Sequence, residues 1–193
     1  ITIVADEWCP YNCEPNSKIE GYGIEIAKRV FEPRGYKVKY SNIAWERAVN
    51  DTRAGKYSAV IGAYEEDAPG FVYPSNPIGI SVDYFFGKED LDWQYTGIKS
   101  LESKSVGIIE GYSYGAAYDK YFEQHKDNIE RVQSVTGDDV TGSNIRKVLR
   151  GRIDIFIEDK NVANNYIKMK DVKGIKAFGQ EIMDGEAENV YIA

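Results

Sequence analysis

Two stretches of the chain carry residue types that can hold a small molecule. In Gly111-Tyr112-Ser113-Tyr114, an apolar run gives way to a helical pattern, so backbone N–H groups and the Ser113 hydroxyl can point at a bound anion. The same residues can equally cap the helix and touch no ligand. Asp159 follows the apolar run Ile153 to Ile157, at the strand end where open α/β sheets bind ligands. It can also act as the N-cap of a helix from Asn161 onward, and the two roles are compatible. Trp8, Tyr11, Trp45, Tyr64 and Tyr112 fall at strand ends or helix starts, where aromatic rings supply rigid apolar walls. Any one of them serves a core as readily; as a set, some should line a pocket.

Other chemistry is poorly supplied. The only histidine, His125, sits in Gln124-His125-Lys126 at the polar end of a helix, which disfavours a His-centred triad or a metal site. Carboxylate catalysis would fall to Glu65 or Glu158, and such acids are more often solvated. No enzyme is expected and no cofactor is implied. The formal net charge of -7, with basic residues scattered among acids, argues against nucleic acid. No stretch approaches the roughly 18 apolar residues of a membrane span. Cys9 and Cys13 are too few for a metal site; a disulfide is expected, which favours an oxidising compartment, whereas a reducing one would leave thiols.

The elements that would position these residues repeat. Arg53-Ala54-Gly55-Lys56-Tyr57 runs into the apolar Ser58-Ala59-Val60-Ile61-Gly62, and Val148-Leu149-Arg150-Gly151-Arg152 runs into Ile153-Asp154-Ile155-Phe156-Ile157, each followed by acids. A helix closed by a left-handed glycine and followed by a short buried strand reads as a parallel αβ unit. In the first half the pattern predicts a strand over 1–5, a helix over 21–34 with Ile26, Ala27, Val30 and Phe31 on one face, a strand over 37–40, a helix from Trp45 to Gly55 and a strand over 59–62. The second half restarts with strands over 106–109, 129–135 and 153–157 and intervening helices. Ile80 to Gly87 reads as a strand leaving the first half, with the crossover near 87–92. These readings predict two lobes, 1–87 joined by the returning 180–193, and 88–179, with a cleft between them.

Five pieces in this order resemble a known family. They are Gly21-Tyr22-Gly23-Ile24-Glu25-Ile26-Ala27; Trp45 with Gly55-Lys56-Tyr57-Ser58-Ala59; Tyr73-Pro74-Ser75-Asn76-Pro77; Val106-Gly107-Ile108 with Gly111-Tyr112-Ser113-Tyr114; and Gly151-Arg152-Ile153-Asp154 with Asp159. Together they are similar to the type-two periplasmic solute-binding proteins of bacterial ABC importers, extracellular solute-binding protein family 3. The resemblance implies an α/β, two-lobed periplasmic-binding-protein-like (type II) fold. Each lobe would be a βαβ-type sheet flanked by helices, and the lobes would close about a hinge. It implies a monomer that captures a small polar solute, amino-acid-like or amine-bearing, in the periplasm or outside the cell, for importer subunits in the membrane. The alternatives are the sensory domain of a membrane receptor or kinase and, third, a dehydratase-type enzyme on the same fold.

The resemblance also assigns roles. The turn at Tyr112, Ser113 and Tyr114 would face the cleft, and Asp159 would hold a ligand ammonium. Amino-acid binders of the family carry a Thr and, three residues on, an Arg that clamps the ligand carboxylate. Here those positions fall in Glu65-Glu66-Asp67-Ala68, so the clamp is missing and Arg47 is the nearest basic candidate. The pocket is accordingly expected to prefer a neutral or amine-bearing solute held by aromatic walls and Asp159, and standard α-amino acids are expected to bind weakly or not at all. Family members continue past the last strand with one or two helices, so either more sequence follows Ala193 or the lobe is completed differently. An export signal would have been removed ahead of Ile1.

Overall fold

The structure is a computed structural model in which residues 1–66, 68–178 and 188–193 are described. In chain order the elements are β1 Thr2–Ala5, α1 Tyr22–Phe31, β2 Lys39–Asn42, α2 Trp45–Arg53, β3 Ala59–Ala63, β4 Gly79–Ser81 and β5 Asp83–Lys88. There follow β6 Val106–Ile109, α3 Ala116–His125, β7 Val132–Val135, α4 Val140–Leu149, β8 Ile155–Asp159, α5 Lys160–Met169, β9 Ile175–Phe178 and β10 Glu188–Ile192. The chain divides into Ile1–Ser81 with Glu188–Ala193, and Val82–Ala187.

The first unit holds the sheet β2-β1-β3-β10-β4, in which β1 is parallel to β2 and β3 while β10 runs antiparallel to β3 and β4. The second holds β7-β6-β8-β5-β9, with β6 parallel to β7 and β8 and β5 antiparallel to β8 and β9. The repeat read from the sequence is therefore a repeat of topology. Gly55 and Gly151, after α2 and α4, take φ of 77° and 66°, the left-handed turn that lets each helix end and its strand begin. All five residues of β8 are buried, as a central strand covered on both faces requires.

Several boundaries differ from expectation, each for a reason of packing. The face of α1 that turns inward is Gly23, Ile24 and Ala27, whereas Ile26 and Val30 are 37% and 42% exposed. Gly23 decides this, because a Cβ there would lie 2.6 Å from Ile61 Cδ1, so the bare backbone sits down on β3. Register moves β2, β7 and β8 along the chain: Thr2 pairs with Lys39, and Val106 pairs with both Val132 and Ile155. Ile129 is left exposed, and Glu158 and Asp159 become strand residues instead of a loop. The run Ile80 to Gly87 is not one strand. It splits at Val82 into β4 and β5, so the crossover precedes the expected 87–92. Of the segment 180–193 expected to rejoin the first unit, 188–192 do so as β10 and 180–187 lie outside the described residues.

Candidate functional site

In the first unit, β1 runs out into Asp6, Glu7 and Trp8 and then into a loop folded on itself. A Cys9–Cys13 disulfide with a Cα separation of 4.4 Å closes it, and the Trp8 N–H donates to the Asn12 carbonyl at 2.9 Å. Asn12 is fully buried; its Nδ2 donates to the Asp6 carbonyl at 2.6 Å and to the Tyr40 hydroxyl at 3.1 Å. Glu20 accepts from the Asn16 N–H at 2.7 Å and from the Lys28 ammonium, tying the loop's far end to α1. So braced, Trp8 stacks on Tyr11 with ring centroids 4.2 Å apart and meets Tyr64 edge-on at 6.3 Å. Tyr11 donates to the Ile80 carbonyl at 3.1 Å, and Tyr73 donates to the carbonyls of Tyr64 and Ala68, both at 2.8 Å.

Three of the expected aromatics, Trp8, Tyr11 and Tyr64, are thus brought together. Trp45 instead joins Ala48 and Val49 on the buried face of α2, which packs on β1 and β3. The Arg47 side chain is 73% exposed and pairs with Asp51 at 3.4 Å, one turn along the same helix. Glu65 and Glu66 are exposed, and Asp67 lies outside the described residues.

In the second unit, β6 runs out into Glu110 and the turn to α3. The expected anion donors in this turn are engaged internally. Ser113 donates to Asp119 Oδ2 at 2.6 Å and the Tyr114 N–H donates to Oδ1 at 2.8 Å, while α3 begins only at Ala116. Tyr114 turns into the core, where its hydroxyl accepts the Ile109 N–H at 2.8 Å. Tyr112 lies 6.3 Å from Tyr114 and, with Asp119 and Phe122, lines a hollow of roughly 290 Å³. Asp159 is 1% exposed and caps α5: its Oδ1 accepts from Asn161 at 2.8 Å and Val162 at 2.9 Å, and its Oδ2 accepts from Val82 at 3.2 Å. Glu158 accepts from the Thr141 hydroxyl at 2.7 Å and from the Asp159 N–H at 3.0 Å.

The sequence reading missed Asp119, Asn12 and Glu20. Asp119 left only a weak signal, an acid in the first turn of a helix, where negative charge is favoured. Asn12 and Glu20 left none, because their partners depend on how the disulfide loop folds. Electrostatics agree between the units. Burial pushes the Tyr40 phenol well above its ordinary range, and Asp6, Glu7 and Glu20 push the same way. Burial does the same to Tyr114, reinforced by Glu158, Asp83 and Asp119. Among the described residues no group of three or more His, Cys, Asp or Glu side chains is placed to hold a metal ion, and no helix is long and apolar enough to cross a membrane.

Two sheets with a shared order, each a parallel core closed by an antiparallel fourth strand, define a type II periplasmic-binding-protein fold. Residues 1–69 match the bacterial extracellular solute-binding proteins, family 3. Solved structures match over the whole chain. An ancestral arginine-binding protein bound to arginine superposes with a TM-score of 0.75 at 21% identity, covering 100% of this chain and 83% of that one. A protein described in glutathione import in Gram-positive bacteria via GshT and the cystine ABC importer TcyBC of Streptococcus mutans gives 0.79 at 24%, covering 100% and 80%. A histidine kinase sensor domain with similarity to periplasmic binding proteins gives 0.80 at 16%, covering 100% and 80%. No curated protein matches in sequence. The opening 69 residues carry the family's sequence pattern and the whole chain carries its fold.

Proposed function

We propose that this is an extracytoplasmic solute-binding protein that captures a small polar solute, amino-acid-like or amine-bearing, at the carboxyl ends of its strands for uptake by an ABC importer. The family match over residues 1–69 carries this reading. In the fold, Trp8, Tyr11 and Tyr64 pack together, nearly buried, beyond β1 and β3 of one unit, and the buried Glu158 and Asp159 close β8 in the other. The comparison structures bound to arginine, or described with a cystine ABC importer, point the same way. The protein acts by binding alone, as a monomer. His125 is turned onto its own helix, with Nδ1 2.8 Å from the Tyr121 carbonyl. The Cys9–Cys13 bridge suits a periplasmic or extracellular site.

A thermal-shift panel of amino acids, polyamines, sugars and small organic acids tests the reading. Ligand at about a hundred times its dissociation constant adds roughly 2.7 kcal/mol of stability, so a binder is visible at once. A panel in which nothing raises the unfolding temperature overturns solute capture. The histidine kinase sensor domain among the fold's neighbours favours a second reading, in which the same capture feeds a membrane receptor. Association of the loaded protein with importer subunits in lipid discs separates the two.

A further inference from the structure

We propose that the Cys9–Cys13 bridge is a redox control on solute capture: reduction by an external dithiol releases the loop it closes and the first turn of α1, and solute affinity falls. This rests on the solute-binding reading above and adds a regulation to it. Gly21 stands at the N-cap of α1 and has no side chain to accept from the first N–H groups of the helix. The bridged loop takes that place. The Tyr22 N–H donates to the Pro10 carbonyl at 3.0 Å and the Gly23 N–H to the Tyr11 carbonyl at 2.9 Å, while the Cys13 N–H donates to the Glu20 carbonyl at 2.8 Å. The helix thus begins on the residues that the bridge encloses.

Inside the loop, the N–H groups of Tyr11 and Asn12 both donate to the Trp8 carbonyl, at 2.9 and 3.1 Å, bonds that an open chain would exchange for water. Asn12 ties the loop to the sheet through the Asp6 carbonyl and the Tyr40 hydroxyl, and the Trp8–Tyr11 stack spans the same residues. Opening the bridge therefore loosens the aromatic pair, the tie to β1 and β2 and the start of α1 together. A bridge across so few residues constrains the unfolded chain little, so its effect is local rather than global. Cys9 is half-buried whereas Cys13 is 7% exposed, so the Cys9 sulfur is the one within reach. A thiolate of the dithiol attacks it and Cys13 leaves as thiolate; the second thiol then displaces Cys9, and the dithiol is left as its own disulfide. Two electrons and two protons pass to the protein, giving two cysteine thiols. Solute binding that needs the ordered loop weakens in proportion to the fraction of molecules that keep it.

Amide hydrogen exchange by NMR and calorimetry on the whole chain, before and after treatment with dithiothreitol and again after reoxidation, test this. Reduction is expected to speed exchange at Cys13, Tyr22 and Gly23 about tenfold or more and to leave Val106 and Ile155, in the sheet of the second unit, unchanged. It is also expected to weaken the best solute of the thermal-shift panel several-fold, and reoxidation restores both readings. Replacing both cysteines by serine should reproduce the reduced behaviour and abolish the response to dithiothreitol; should that variant not fold, the reduced native chain decides alone. Exchange unchanged at Tyr22 and Gly23, or raised equally in both units, overturns the inference. Solute affinity that reduction leaves unchanged also overturns it, and solute capture then stands. If no solute of the panel binds the oxidised protein, capture falls and the control with it.

Discussion

Glu20 is a small ion-pair acid whose contribution can be isolated by pH. Burial pushes its carboxyl up, but the Lys28 hydrogen bond, the Asn16 N–H and the Lys28 charge together hold it below its ordinary 4.5. A carboxyl depressed by folding stabilises the native state above its unfolded value, and that gain is lost as pH falls through the folded value. Glu20→Gln is therefore expected to lose about 1 kcal/mol at neutral pH and progressively less below 4.5, as read by urea unfolding at several pH values. Asp119 offers a second test. Because it occupies the donors of Ser113 and Tyr114, Asp119→Ala should free them, and calorimetry should show carboxylate-bearing solutes binding more tightly than they do to the unaltered protein. The variant should also lose about 1 kcal/mol of stability through the two hydrogen bonds removed.

Among the elements, the disulfide loop and the helix after it form one block. Protein purified without reductant should show no free thiol, and replacing both cysteines by serine should lose about 2 kcal/mol, the chain-entropy value for so short a loop. Gly21 joins the loop to α1 with φ of 101°, and a Cβ there would lie 2.5 Å from the Tyr11 carbonyl oxygen. Gly21→Ala should lower stability by roughly 2–3 kcal/mol in thermal unfolding. How far such elements can be read from residues depends on whether their partners are local. The αβ repeat was legible because Gly55 and Gly151 punctuate apolar runs. The splitting of Ile80 to Gly87 was not, since only pairing of β4 with β10 and of β5 with β8 and β9 assigns its halves to different sheets. The inward face of α1 was hidden for the same reason, being fixed by the approach of Gly23 to Ile61. Of the candidate residues, Trp8 and Tyr64 were legible as aromatics just beyond strands, while their burial against Tyr11 and the capture of Ser113 by Asp119 depend on the folded loop and turn themselves.

At the scale of the whole molecule, a formal net charge of -7 favours the approach of cations. Amine association rates are expected to fall several-fold by stopped flow between about 10 mM and 1 M salt, as the screening length shrinks from about 30 to about 3 Å, with dissociation little changed. An association rate indifferent to salt would remove the role given to that field. Asp159 adds a constraint of another kind. Its carboxylate caps α5 and also holds Val82, the first residue of the second unit, so a substitution that removes both acceptor oxygens strands backbone donors from two parts of the chain. Natural variation at that residue would be purged for its effect on folding before selection could weigh its effect on diet. Descendants that acquire a new solute must change elsewhere, at exposed loop acids such as Glu65, Glu66 and Glu110. An acid at the end of β8 would then persist in lineages that no longer share a ligand.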